Sequence, residues 1–289
     1  MLFQEQASGE FVVIAELQPP KGNRLSGLYE QAEHLRGHVH ALNIPDLDNA
    51  IMRLGSLSVC TLLKAKGMEV IFNLSVGDRN RLALQSDLLN ASALGLDNVL
   101  VLQGDPPSLG DHYDAKPVFD LDVLGLLGAV KRLQAGYDLG GSELDGKPQF
   151  CVGTQIQLRT TEHDFDLEVI EMEKKIDLGV NFFFTPSVYD TNLFETFVQK
   201  AARLKTPIVA GVTLLKSVGM ARYINQHVQG ASIPETVIDK LMKAPDKQQG
   251  SIEIARETIR HLRPLCQGIR IIPIGWEQLI PTVLEQAGL

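Results

Sequence analysis

The chain has 289 residues, of which 44% are apolar, 21% charged and 6% aromatic, and its formal net charge is −8. Such a length accommodates roughly two average domains or one α/β barrel of about 250 residues, and it needs no disulfide or metal staple. The acidic balance, without any Lys/Arg run, argues against a nucleic-acid partner, and no apolar run is long enough to span a bilayer.

The opening MLFQEQASGE carries acids where a signal peptide has a basic segment, so none is expected. Cys60, Cys151 and Cys266 lie far apart and form no C-x-x-C. Structural zinc, iron–sulfur clusters and dithiol redox chemistry are therefore not expected, nor is any other metal, and a reducing cytoplasm is the expected location.

Short β-branched runs recur along the chain, each followed by a stretch with helical spacing. The first run is FVVIAE at 11–16, and a helix from Leu25 follows with apolar Leu25, Leu28, Ala32 and Leu35. Ser26 is placed near its start and Gly37 at its stop. The second run is 38–44, with a helix around 54–66, and the third is 69–74, with a helix around 79–94. The fourth is 98–103, with a helix around 120–135, and the fifth is 148–153, with a helix around 164–178. The sixth is 181–185, with a helix around 190–204. The seventh, 207–212, precedes helical patterns that continue to about 263, and the eighth, 268–274, precedes a last helix around 276–287.

Eight such alternations predict a (β/α)₈ TIM barrel, a single domain over 1–289, with a doubly wound sheet as the less favoured alternative. The runs are almost continuously apolar, as parallel strands covered on both faces should be. Insertions fall at 105–118, 136–148 and after the seventh strand.

In this fold, chemistry lies at the C-terminal strand ends. Glu16 ends the first strand, and Gln103-Gly104-Asp105-Pro106-Pro107 ends the fourth. Two carboxylates, Glu16 and Asp105, are thus expected on one rim. A carboxyl at the end of a buried apolar strand tends to hold its proton and can serve as a general acid. The alternative for each is a cap on backbone amides.

Other signals carry less. Gly141 to Lys147 matches part of a phosphate loop, but Pro148 replaces the required hydroxyl and the run precedes a strand. His34 and His38 flank Gly37 and read as exposed, and His40 reads as ordinary packing. Phe182-Phe183-Phe184 reads as core, and Lys216 as a solvated loop lysine. A barrel lyase or aldolase is disfavoured for want of a strand-end lysine or metal cluster.

The motif AELQPPKG of the first strand resembles the E-F-x-P-P signature of the methylenetetrahydrofolate reductase family. VLVLQGDPP of the fourth resembles that family's L-[RT]-G-D. DRNRLALQSDLLNASALGLDNVLVLQGD, EKKIDLGVNFFFTPSVYD and GIRIIPIGWEQLIPTVLEQAG resemble its short bacterial branch, in order from residue 11 to 288. The regulatory region of the long eukaryotic members is not expected.

The resemblance implies a flavin-bearing barrel, usually with FAD and with FMN as the alternative, reducing 5,10-methylenetetrahydrofolate to 5-methyltetrahydrofolate. It makes Glu16 the acid for N10 and Asp105 the carboxylate that lies against flavin and pterin. It assigns the cofactor to Pro45, Asn73, Gln103, Gly104, Asp105, Asp120, Gln155, Glu168, Glu171, Lys174 and Lys175, and the substrate to Glu16, Asp105, Pro186 and Val218. Several of these depart from the family. Pro45 stands for a Thr, Asn73 for a His, Gln103 for an Arg and Gln155 for a Tyr. Pro186 stands for a Gln and Val218 for a Phe, which puts direct NAD(P)H use in doubt and raises a partner redox subunit as the electron source. A homo-oligomer or hetero-complex is expected. The alternative is a flavin-free folate- or pterin-binding barrel serving as a subunit of a larger complex.

Overall fold

The apolar runs become parallel strands because each buries both faces, one toward the barrel axis and one toward the helices. A computed structural model describes residues 2–3, 10–158, 162–228 and 232–289, without the side chains of 162 and 163. Among them the strands are β1 (Val12–Glu16), β2 (Ala41–Ile44), β3 (Val70–Ser75), β4 (Asn98–Leu102), β5 (Cys151–Gln155), β6 (Phe182–Ser187), β7 (Ile208–Thr213) and β8 (Gly268–Ile272). They close in sequence order into one barrel, β8 pairing with β1. This is the predicted (β/α)₈ architecture.

The helices are α1 (Ser26–Leu35), α2 (Ser56–Lys64), α3 (Arg81–Ala93), α4 (Val123–Ala135) and α5 (Glu162–Asp177), followed by α6 (Thr191–Ala201), α7 (Val218–His227), α8 (Glu235–Lys243), α9 (Lys247–Leu262) and α10 (Ile280–Ala287). Side-chain oxygens of Asn80, Asp122, Asp190 and Asp246 cap α3, α4, α6 and α9. Each such cap contributes about 1 kcal/mol by satisfying an otherwise orphaned amide. Ser26 is the first residue of α1 and makes no cap bond there, and the helix stops just short of Gly37. The helical stretch after β7 is divided into α7, α8 and α9, with Pro234 capping α8 and Asp246 capping α9.

Two strands start three residues later than predicted, and the others agree within two residues at each end. β2 begins only at Ala41, and His40 before it accepts the Val13 amide on its ring nitrogen. β5 runs later than expected, because the Phe150 amide is taken by the Gln134 side chain and the ladder starts at Cys151.

Inside the barrel, Val12, Ile14, Ala41, Ile71, Leu100, Cys151, Phe182, Phe184 and Val209 form one cluster. Alternate residues face out, so Phe183 joins the barrel–helix core while its two neighbours fill the axis. A fully buried side chain of this kind stabilises the fold by about 1.5–3 kcal/mol. Gly153 leaves room for Phe182, whose ring would lie 2.2 Å from a Cβ at that position. Leu2 and Phe3 close the N-terminal end: Phe3 stacks on Phe182 at 4.7 Å, and the Leu2 amide donates to Asn98 Oδ1. The other end stays open, and it is where β1 delivers Glu16. The run Gly141–Lys147 lies in the α4–β5 connection, at the end opposite that mouth.

Candidate active site at the barrel mouth

The strand period of two places Glu16 on the same face as Val12 and Ile14, so its carboxylate points into the barrel rather than onto the helices. Glu16 stands opposite Asn43, and Arg270 stands opposite Ile14. Asn43 is in turn opposite Ile71, one inward position before Asn73. Strands β8, β1, β2 and β3 thus present Arg270, Glu16, Asn43 and Asn73 as one polar wall.

Arg270 Nη1 lies 3.5 Å from Glu16 Oε2, and Asn43 Nδ2 donates to the same oxygen at 3.3 Å. Arg270 Nη2 donates to the Thr185 carbonyl at 3.4 Å, and its guanidinium sits 4.9 Å from the Phe184 ring centre. Asn43, Asn73 and Arg270 are 0%, 2% and 8% exposed. Even so, Asn43 Oδ1, Asn73 Oδ1 and Arg270 Nε have no hydrogen-bond partner among the described residues. A buried polar atom left unpaired costs about 1–3 kcal/mol, so a wall holding several is built to meet polar groups from outside the chain.

Burial holds the Glu16 carboxyl above its ordinary pKa. Arg270 and the Asn43 hydrogen bond oppose that shift, and the negative charge of Asp48 adds to it. The crowding of Asp48 by surrounding protein, and then the charge of Asp105, likewise raise Asp48, against Arg270 and Arg53.

Above the wall the β2–α2 and β4–α4 loops are strapped together. Leu47, Asn49 and Ala50 have φ values of 50°, 56° and 52°, a left-handed backbone that costs non-glycine residues about 1–3 kcal/mol each. Three contacts hold it: Asp105 Oδ2 accepts the Asn49 amide at 3.0 Å, Asp111 accepts the Met52 amide at 3.0 Å, and Lys21 pairs with Asp111. Gly110 lies so close to Ala50 that a Cβ would fall 1.8 Å from the Ala50 carbonyl oxygen. Beneath the strap is a cavity of about 150 Å³ lined by residues that include Leu47, Met52, Ser75, Asp105 and His112. At its side Asp46 takes both terminal nitrogens of Arg79, at 2.6 and 3.2 Å, and fixes the end of β2 to the start of α3.

Of the residues singled out in the sequence, Glu16 and Asn73 stand on the polar wall. Asp105 is exposed in the strap, bonded to the Asn49 amide, with Asp48 close to both carboxylates. Pro45 is buried and offers no donor, while Gln103 and Gln155 are exposed. Gly104 serves backbone geometry: a Cβ there would meet the Ser75 Cβ at 2.9 Å. Asp120 is bound to the Arg81 amide and guanidinium at the start of α3. On α5, Lys174 pairs with Glu171 at 2.5 Å, and Lys175 reaches Glu168 at 3.7 Å and the Gln155 carbonyl at 3.3 Å. Pro186 sits where the β6–β7 register shifts, and Val218 opens α7 and packs in the cluster around Leu215, Ala221 and Ile238. Lys216 is half-buried over the Trp276 ring, 5.1 Å from its centre, rather than solvated.

The donor set does not fit a flavin dinucleotide as it stands. The lysines expected near the pyrophosphate are neutralised by carboxylates of their own helix. Asp105 and Asp120 are engaged by the chain itself. Among the described residues no group of His, Cys, Asp and Glu is arranged to hold a metal, and no helix is long and apolar enough to cross a membrane.

Sequence reasoning missed Asn43, Asp48 and Arg270. A signal existed for two of them: Asn43 and Arg270 are polar residues at inward positions of otherwise apolar strands.

Comparison with known proteins supports the same picture. The family model described as methylenetetrahydrofolate reductase matches residues 2–288. Methylenetetrahydrofolate reductase 2 of Schizosaccharomyces pombe is 21% identical over 266 residues, covering 81% of this chain and 39% of that protein. A probable methylenetetrahydrofolate reductase (NADH) of Oryza sativa subsp. japonica is 26% identical over 221 residues, covering 71% of this chain and 35% of its own. The chain thus spans well under half the length of these curated relatives. Among solved structures, an uncharacterized protein from Clostridium thermocellum that binds two copies of 5-methyl-5,6,7,8-tetrahydrofolic acid superposes with a TM-score of 0.69. It is 16% identical, and the match covers 96% of this chain and 94% of that one. A long-chain alkane monooxygenase shares the barrel at a TM-score of 0.56 and 12% identity, covering 97% and 92% of the two chains. With a family match over nearly its whole length, this chain belongs to the methylenetetrahydrofolate reductase family.

Proposed function

We propose that this barrel binds a tetrahydrofolate at its mouth and reduces 5,10-methylenetetrahydrofolate to 5-methyltetrahydrofolate. The observation that carries the reading is the polar wall: a carboxyl whose pKa burial raises, beside amide and guanidinium atoms that are partnerless among the described residues and suited to a heterocycle rich in donors and acceptors. In the proposed step the C–N10 bond of the methylene bridge breaks, and N10 takes its proton from Glu16. The N5 iminium then accepts a hydride from a reductant. An acid whose pKa burial raises and a carboxylate close by suit such a step, and Glu16 and Asp48 offer both.

The family resemblance names FAD, or FMN, as the hydride carrier, a group whose N5 delivers hydride when bound. Because the residues present do not fit it, no step is assigned to it here. The electron source under this reading is a nicotinamide or a partner redox subunit. The engaged state of Lys174, Lys175, Asp105 and Asp120 also favours a second reading, a flavin-free folate-binding subunit of a larger complex.

Two measurements on the purified protein separate these. Calorimetric titration with 5-methyltetrahydrofolate tests folate binding. Incubating 5-methyltetrahydrofolate with an artificial electron acceptor, and assaying for methylenetetrahydrofolate, tests turnover. Binding with turnover supports the reductase, binding without turnover supports the subunit reading, and no binding overturns both.

A further inference from the structure

We propose that Arg270 is a positioning residue for proton delivery, holding Glu16 Oε2 so that Oε1 carries the proton and the carboxylate left behind has a cation beside it. This rests on the reductase reading above.

The guanidinium is unusually constrained for a side chain at a barrel mouth. It lies against the Phe184 ring at 4.9 Å, donates to the Thr185 carbonyl, and approaches Glu16 Oε2 at 3.5 Å. Its side chain is 9% exposed and that of Glu16 is 15% exposed, so the pair interacts with little screening by water. Asn43 Nδ2 binds the same oxygen, so two donors converge on Oε2, while among the described residues none donates to Oε1. The carboxyl is thereby oriented, with one oxygen tethered and one free to carry a proton.

The charges facing Glu16 come from three directions. Arg270 stands on β8, the neutral Asn43 on β2, and Asp48 on the β2–α2 loop. Burial and Asp48 oppose ionisation, which would make Glu16 reluctant to release its proton at all. Arg270 supplies the opposing cation. When the proton passes from Glu16 Oε1 to N10, the O–H bond breaks, an N–H bond forms, and the new carboxylate is stabilised by the guanidinium. No oxidant or reductant enters this step.

The test compares Arg270→Met and Arg270→Lys with the wild-type protein. The Met variant should lose about tenfold to a hundredfold in kcat, beside whatever rise in KM follows from losing the Nε donor. Its alkaline limb of kcat/KM should move up by about 1–3 pH units, because a neighbouring cation lowers a carboxyl by about that much. The Lys variant, which keeps a charge without the planar clamp, should restore the position of the limb in part. Infrared titration of the Glu16 carboxyl band, identified by its loss in Glu16→Gln, follows the same ionisation without substrate. An upward move of that band's midpoint in Arg270→Met shows the coupling of the pair without turnover, so that a failure to reduce folate then counts against the reductase reading and not against the coupling. A midpoint and limb that stay in place overturn the proposal, as does a loss confined to KM, which would make Arg270 a substrate-binding group. If Arg270→Met fails to fold, the Lys variant decides on the same two readouts.

Discussion

Glu16 carries the chemical argument, and its environment fixes the direction of its pH response. Its pKa is raised in the folded protein, so the folded state binds the proton more tightly than the unfolded chain. Its contribution to stability is therefore complete below the unfolded value of about 4.3 and is lost as pH rises through the folded value. Activity that needs the protonated acid falls across that same upper limb. Glu16→Gln should reduce folate turnover by about 10²–10⁴-fold, abolish the limb and leave 5-methyltetrahydrofolate binding intact. Turnover and calorimetric titration of that variant check the expectation, and near-normal turnover would remove Glu16 from the acid role. Asp105 has a different part. Its Oδ2 is bonded to the Asn49 amide, so Asp105→Ala should loosen the strap, which limited proteolysis would read as faster cleavage of the 45–53 segment. Unchanged cleavage would show that the strap holds without it.

At the scale of elements, the strap between the β2–α2 and β4–α4 loops depends on close backbone approach. A methyl at Gly110 would fall inside the Ala50 carbonyl, so Gly110→Ala must part the two loops. Overpacking of this kind costs about 1–3 kcal/mol. We expect faster cleavage of the 45–53 and 105–118 segments in limited proteolysis, with the barrel melting little changed. Asp46 tests the layer beneath: its side chain is 1% exposed and pairs with Arg79, so Asp46→Leu leaves that arginine with the partly exposed Asp78 and Asp87 alone. Because Arg79 keeps those two carboxylates and some access to water, the loss is about 1–3 kcal/mol, the cost of hydrogen bonds left unmade, which urea denaturation would read as a lower midpoint. The eight strands were legible because parallel strands buried on both faces leave continuous apolar runs. Their ends were less so. Nothing in the run 148–153 shows that Gln134 takes the Phe150 amide, and the Glu16–Arg270 pair exists only because the barrel closes β8 onto β1. Glu16 could be placed from its strand end, whereas Asn43 and Arg270 sit inside apolar runs, where a polar residue gains meaning only once its inward direction is known.

For the whole molecule, the open question is where the electrons enter. The family match covers residues 2–288, yet the chain spans only 39% and 35% of two of the relatives it matches, so their complete activity does not transfer by likeness alone. A dinucleotide cofactor brings a doubly charged pyrophosphate, and a chain with net charge −8 must offer it local cations. On α5 those cations are Lys174 and Lys175, held at 2.5 Å by Glu171 and at 3.7 Å by Glu168. Binding FAD there would set its phosphates beside Glu168 and Glu171, the carboxylates that pair with those lysines. The ring would also find Asp105 already bonded to Asn49. We therefore expect the purified protein to carry less than stoichiometric flavin. In fluorescence titrations FAD should bind no more tightly than riboflavin, since its extra phosphates gain nothing. Glu171→Gln together with Glu168→Gln, which frees both lysines, should then raise FAD affinity over riboflavin by about tenfold or more, as expected from charge-assisted phosphate contacts. Stoichiometric FAD in the wild-type protein, or a wild-type preference for FAD that Lys174→Met and Lys175→Met abolish, would show that the lysines exchange their glutamates for phosphate and that the flavin site is intact.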